Sequence, residues 1–204
     1  FQGGSLGEVG GAKIAGALEL AVEDNRNHIP TVAILLLETG GVRLQEANLG
    51  LAAIAEIQAA IVALRQHQPV IGVIAGSVGC FGGMSIAAGL CSYLIMTQEG
   101  RLGLNGPQVI EQEAGLQEYN AKDRPFIWSI CGGEQRFKTG LIDAYIDDNR
   151  EQIKAQIIEF IQQGSPQRPR CMQAEHYLEK LQHLDTTQQI SPAEVQALYQ
   201  GEKA

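Results

Sequence analysis

Two pairs of adjacent glycines, Gly40-Gly41 and Gly82-Gly83, are the residues of this 204-residue chain whose type and spacing could do chemistry. The first pair follows a continuous apolar run and the second precedes a stretch rich in Ala and Ile. Backbone N–H groups without acceptors at such places are donors for a negatively charged oxygen, and glycine lets a ligand come close to them. The chemistry would be stabilisation of an oxyanion. The competing reading is that the glycines merely permit tight turns and close helix packing, and spacing alone leaves both open.

Other candidates are less specific. Gly76-x-x-Gly79-x-x-Gly82 follows an apolar run, but its spacing is not that of a dinucleotide-binding turn, and the acidic strand end such a site needs is matched only by Glu99. Ala75-x-Ser77-x-Gly79 imitates a nucleophile elbow. Its base is missing, because His28, His67, His176 and His183 fall in polar helix ends or the C-terminal tail. Glu38 and Glu46 flank Arg43 and read as its structural partners, whereas Glu111 and Glu113, two residues apart, would diverge on a helix. No metal-ligand spacing occurs. Cys80, Cys91, Cys131 and Cys171 are scattered without a C-x-x-C, which argues for a reducing cytoplasm.

The elements that must position these residues follow from periodicity. Gly3–Gly11 reads as a glycine-lined turn feeding a helix over Ala12–Asp24. Thr31–Leu37, unbroken and apolar, reads as a strand buried on both faces. Ala47–Gln66 repeats apolar residues at helical spacing, Val70–Ala75 is a second buried strand, Met84–Leu90 a short helix and Tyr93–Thr97 a third strand. Leu102 and Leu104 alternate into a short strand within the turn Gly100–Gly106. The pattern of strand, glycine-rich turn and helix then repeats less clearly, with helical pieces at Val109–Ala114 and Trp128–Gly133 and an amphipathic helix at Ile153–Ile161. A break at Gly164–Arg170 separates a domain of residues 1–164 from a tail, 165–204, with helices at Gln173–Leu184 and, capped by Ser191, at Pro192–Gln200. Such a tail is too small to fold alone and is expected to pack on a partner or back on the domain.

Composition agrees with one globular domain and an appendage: 45% of residues are hydrophobic and 19% charged. Of 24 glycines, 22 lie in residues 1–140, so the enrichment is regional and demands a backbone reason. The net charge of −8 is shared evenly by residues 1–140 and 141–204, which excludes a large basic face for nucleic acid or anionic membrane, and the apolar runs are of strand length. The chain opens on Phe1 without a starting Met and reads as a fragment whose beginning is missing.

Four ordered segments carry a family resemblance: Phe1–Lys13, Glu38–Ala47, Phe81–Ser85 and Leu104–Gln112. They resemble the motifs of the carboxyltransferase family, and within it most resemble the β subunits of biotin-independent malonate decarboxylases, with Trp128, Gly132-Gly133, Arg136 and Thr139–Leu141 continuing the likeness. The four-cysteine zinc ribbon of the acetyl-CoA carboxylase subunits is not matched. The resemblance implies an α/β fold, the ClpP/crotonase-like spiral of ββα units, here with a helical C-terminal tail, and places the family's first strands before Phe1, so that an exposed sheet edge would follow if they are absent. It implies decarboxylation of a malonyl thioester to the acetyl thioester and CO2 through an enolate, with no tightly bound cofactor. The substrate would ride on the prosthetic-group thiol of an acyl carrier protein, a CoA-like moiety. A γ subunit and an acyl-carrier transferase subunit would complete a cytoplasmic complex, with neither nucleic acid nor membrane as partner. Gly40, Gly41, Val42, Gly82 and Gly83 are then the candidate oxyanion donors, and Arg43, Arg101, Lys122, Arg124, Arg136 and Lys138 the candidate cations for docking an acidic carrier. The alternatives are a biotin-dependent carboxyltransferase β subunit and a non-catalytic scaffold of the same fold.

Overall fold

Four short apolar segments pair side by side into a parallel sheet in chain order: β1 (Ala33–Leu36), β2 (Val70–Ile74), β3 (Tyr93–Thr97) and β4 (Ala144–Ile146). The computed structural model describes residues 4–185, 187–188 and 190–199; Phe1, Gln2, Gly3 and Gln200, which the sequence reading placed in the first motif and the last helix, lie outside these. Parallel strands need crossovers, and helices supply them: α1 (Glu8–Arg26) precedes β1, α2 (Asn48–Leu64) joins β1 to β2, and α3 (Gly83–Leu90) joins β2 to β3. Between β3 and β4 come α4 (Pro107–Ala114), α5 (Arg124–Cys131) and α6 (Gly133–Lys138), and after β4 come α7 (Arg150–Gln163), α8 (Ala174–Leu181) and α9 (Pro192–Tyr199).

A second layer lies past the strand ends. Single-residue parallel bridges join Leu6 to Val42, Thr39 to Cys80 and Cys80 to Leu102, so each turn of chain contributes a strand to the main sheet, a residue or two to this row, and then a helix. That repeat is the expected crotonase-like spiral. Leu102 takes its place in the row as a bridge instead of extending into a strand with Leu104.

Burial explains the layers. Ile57, Ile61 and Leu64 of α2 and Leu18 of α1 pack with Ile74, Leu94 and Met96 on one face of the sheet. On the other face Ile71, Val73 and Ile95 pack with Phe160 of α7, whose ring stacks on Tyr93 at 4.2 Å. Helix α7 lies against β3 and β4, and β1 forms the opposite edge of the sheet from β4. Ile34 and Leu36, in register with Ile71 and Val73, are therefore 44% and 79% exposed, and the first strand is not buried on both faces as its run of apolar residues implies.

Other differences have local causes. Helix α1 begins at Glu8, so Gly10 and Gly11 are helical, not part of a turn; a Cβ on Gly11 would stand 2.4 Å from that of Ala53, which shows the glycine is there to let α1 lie against α2. Strand β4, three residues long, is too short to show a period and has no counterpart in the sequence reading. The tail packs back on the domain. Arg170 pairs with Asp143 and donates to the Cys91 carbonyl, Tyr177 donates to the Gly140 carbonyl at 2.8 Å, and Gln135 donates to the Pro192 carbonyl at 3.1 Å. Ser191 and Glu194 cap α9 reciprocally, each accepting the other's backbone N–H. Among the described residues no helix is long and apolar enough to cross a membrane.

The same substitution at two glycines of α1 should act in opposite directions. Gly16→Ala, where nothing lies within 4 Å of the new Cβ, should stabilise by roughly 0.5–1 kcal/mol in urea unfolding through helix propensity alone. Gly11→Ala should destabilise by about 1–3 kcal/mol through overpacking against Ala53. A gain at both positions would disprove the close α1–α2 contact.

Candidate functional site

In a parallel sheet the turns after the strands gather at one end, where ligands bind in open α/β folds. Here the turn after β1, Thr39–Glu46, and the turn after β2, Ala75–Gly82, meet through the bridge row. Thr39 N–H donates to the Gly79 carbonyl at 2.8 Å and Phe81 N–H to the Thr39 carbonyl at 3.1 Å. This brings the two glycine pairs together. A Cβ on Gly82 would lie 3.0 Å from the Gly41 Cα, and one on Gly41 would lie 3.4 Å from the Gly82 Cα. Both residues have positive φ, +112° at Gly41 and +63° at Gly82, which favours glycine at each, and at Gly82 the close approach to Gly41 adds to that demand.

The five candidate donors are not equivalent. Gly82 N–H donates to the Leu104 carbonyl at 2.8 Å and Gly41 N–H to Thr39 Oγ1 at 3.1 Å, so the protein itself satisfies these two. Gly40, Val42 and Gly83 N–H make no hydrogen bond among the described residues. For Val42 the reason is the bridge to Leu6: Leu6 N–H donates to the Gly41 carbonyl and Arg43 N–H to the Leu6 carbonyl, both at 2.8 Å, which turns the intervening Val42 N–H away. For Gly83 the reason is its place as first residue of α3, whose opening N–H groups have no intrahelical acceptor and no side-chain cap. Met84 N–H shares that property, a donor that the glycine pattern did not single out. Gly83 is glycine for packing, since a Cβ there would approach Ile54 at 2.9 Å.

The turns are braced from outside. Glu46 accepts the Glu8 N–H at the start of α1 and pairs with Arg43 at 2.8 Å, tying the Gly41–Val42 turn to that helix. The backbone N–H first, and Arg43 next, hold the Glu46 carboxyl below the usual carboxylate range. Glu38 is not a partner of Arg43; its Oε1 accepts the Val78 N–H at 3.3 Å. Arg101 grips the same turn from the other side, donating to the carbonyls of Ser77 at 2.9 Å and Val78 at 3.2 Å while stacking on Trp128 at 4.7 Å.

Most of the expected docking cations have structural work. Arg43 is paired, Arg101 holds a turn, Arg124 pairs with Glu99 over the Trp128 ring, and Lys138 pairs with Glu134 at 2.6 Å. Lys122 is exposed and makes no ion pair among the described residues. Arg136 is not a surface cation: it is largely buried, its Nε donates to the Leu102 carbonyl at 2.8 Å, and burial lowers its pKa. Ser77 has no base. His28 and His67 lie where α1 and α2 end, at the opposite end of the strands, about 16 Å away across five residues of β2. Cys80, beside the glycine pair, is inert as a nucleophile because burial pushes its thiol up to about 12.

The profile of the carboxyl transferase domain family matches residues 1–201. A chain of a Pseudomonas malonate decarboxylase hetero-tetramer crystallised with malonate superimposes with TM-score 0.93 at 69% identity, covering 98% of this chain and 72% of that one. A chain of the Pseudomonas malonate decarboxylase MdcD-MdcE hetero-dimer does so with TM-score 0.78 at 65% identity, over 89% and 75%. The malonyl-S-ACP:biotin-protein carboxyltransferase MADC of Malonomonas rubra is 43% identical over 150 residues, 69% of this chain and 47% of that protein. The chain thus spans about half the length of the curated relatives it matches.

Two measurements test this geometry. Gly83→Ala should lower the unfolding midpoint and Ile54→Val should restore it, because a side chain obstructs; Gly82→Ala, obstructed by backbone and by its φ of +63°, should cost roughly 1–3 kcal/mol that no neighbouring truncation recovers. Glu46→Gln should weaken stability above the ordinary carboxylate pKa of 4.5. A carboxyl depressed in the folded state stabilises above its unfolded pKa and loses that effect as pH falls through the folded value, so the two proteins should converge in acid. A difference that persists unchanged at low pH would refute the bracing role.

Proposed function

Since the chain belongs to the carboxyl transferase domain family, we propose that it is the subunit of a malonate decarboxylase that removes CO2 from a malonyl thioester. The observation that carries this reading is the meeting of the two glycine turns with the N–H groups of Val42, Gly83 and Met84 left as donors. In the reaction the bond between the carboxylate carbon and the α carbon breaks, CO2 leaves, and the electron pair passes to the thioester oxygen, giving an acetyl thioester enolate. Protonation at the α carbon completes the acetyl thioester. Charge grows on that oxygen only as the bond breaks, so fixed donors there lower the barrier more than they tighten binding. No nucleophile is needed, in keeping with a Cys80 thiol whose pKa is raised by burial and a Ser77 hydroxyl without a hydrogen-bonded base among the described residues.

Gly40, Gly41, Val42, Gly82 and Gly83 thus divide into donors and scaffold. Gly41 and Gly82 shape the turns, and Gly40, Val42 and Gly83, joined by Met84, face the thioester oxygen and the leaving carboxylate. The substrate is carried on the prosthetic-group thiol of an acyl carrier protein, and a γ subunit covers the turns. Supporting this, the structural relatives come from hetero-oligomeric malonate decarboxylases, and Leu44, Leu104 and Ile86 around the turns are 81%, 60% and 53% exposed. Of the six candidate cations, Lys122 is the one that makes neither an ion pair nor a side-chain hydrogen bond among the described residues, and an acidic carrier would dock with it.

A second reading has its own support in the 43% likeness to a biotin-protein carboxyltransferase: the same enolate forms, and the carboxyl passes to biotin instead of leaving as CO2. Malonyl thioester turnover by the assembled complex, with and without avidin, separates the two; strict dependence on biotin would establish transfer. The donor assignment is tested by a matched pair. Gly83→Pro in an Ile54→Ala background deletes the N–H at a helix position that tolerates proline and should lower kcat roughly a hundredfold. Gly83→Ala in that background retains the N–H and should keep turnover near that of Ile54→Ala. Equal rates for the pair would sink the donor role of Gly83.

A further inference from the structure

Behind the bridge row, between α4–α6 and the tail helices α8 and α9, lies a cavity of about 650 Å³. Its walls are mainly apolar, with Ile110, Phe126, Ile130, Leu141, Leu181 and Val195 among them. The size lies within the roughly 300–1,000 Å³ of small-molecule sites. One cation borders it. Arg136 uses its Nε on the Leu102 carbonyl, but its two terminal nitrogens make no hydrogen bond and no ion pair among the described residues. Neither nitrogen is sealed from solvent without a partner. Glu118 stands at the same cavity and forms no pair with the guanidinium.

A guanidinium partly desolvated beside apolar side chains and without a counter-ion gains from an anion, and its two terminal nitrogens, still open to solvent, form a fork that fits a carboxylate. We propose that this cavity binds a monocarboxylate with an apolar body, of the medium-chain fatty acid class, its carboxylate on Arg136 and its chain along Ile110, Phe126, Ile130 and Val195. The site is separate from the glycine turns and does not depend on the decarboxylase reading. It adjoins the bridge row, because the residue that Arg136 holds, Leu102, is the bridge partner of Cys80.

Calorimetric titration of the unmodified chain with octanoate, 1-octanol and acetate tests the proposal. Octanoate should bind saturably with one-to-one stoichiometry, and octanol, lacking the charge, and acetate, lacking the chain, should each bind at least about tenfold more weakly. Val195→Trp, which fills the cavity, should abolish octanoate binding, and Arg136→Met should reduce octanoate to the level of octanol. Octanol binding as tightly as octanoate, octanoate failing to saturate, or Val195→Trp leaving octanoate affinity unchanged would overturn it. If Arg136→Met fails to fold for want of its bond to Leu102, the three ligands on the unmodified chain still decide.

Discussion

The contact on which the rest depends is the one between two backbones, Gly41 against Gly82, where a Cβ on the second would stand 3.0 Å from the Cα of the first. A Cβ on Gly82 would press on the Gly41 backbone, so the turns meet this closely only with glycine at that position. The bridge row holds the turns at that distance through bonds flanking the contact, from Thr39 to Gly79 and from Phe81 to Thr39. Everything outside it, from the carboxylate of Glu46 on the start of α1 to the grip of Arg101 on the Ser77–Val78 turn, prevents the two turns from drifting apart.

This arrangement divides labour among the glycines. Gly11 lets two helices meet, Gly83 accommodates Ile54, and Gly41 and Gly82 supply backbone conformations that other residues rarely adopt. The donors themselves need not be glycine. Val42 and Met84 present N–H groups because of where the bridge and the helix start place them, and their side chains do not enter into it. A site made of main chain is thus specified by its supports, and the residues most sensitive to change are those that touch no ligand.

Charge follows the same rule. The arginines of the first three quarters of the chain are mostly committed to carbonyls, carboxylates or aromatic faces, so an acidic chain with few bases uses them as internal fasteners. Arg136 is the instructive case: by type it reads as a surface cation, yet it lies behind the bridge row with one of its three guanidinium nitrogens bonded to the Leu102 carbonyl. Its burial is a property of α6 and the tail packing together, and no local signal announces it.

The sequence by itself determined the strands at Val70–Ile74 and Tyr93–Thr97, the long helix over Asn48–Leu64 and the glycine pairs as the chemically interesting points, because each is a local pattern of period, run or backbone permission. Its motif order also carried the family, and with it the spiral. It overstated the burial of Ile34 and Leu36, because which strand a covering helix reaches is decided by sheet order and not by the strand's own residues. Only the tertiary structure decided which N–H groups are left without an acceptor, since the acceptors of Gly41 and Gly82 are Thr39 Oγ1 and the Leu104 carbonyl, one two residues away in sequence and one distant. A hydrogen bond is a relation between two places in space, and a pattern of residues along a line fixes only one of them.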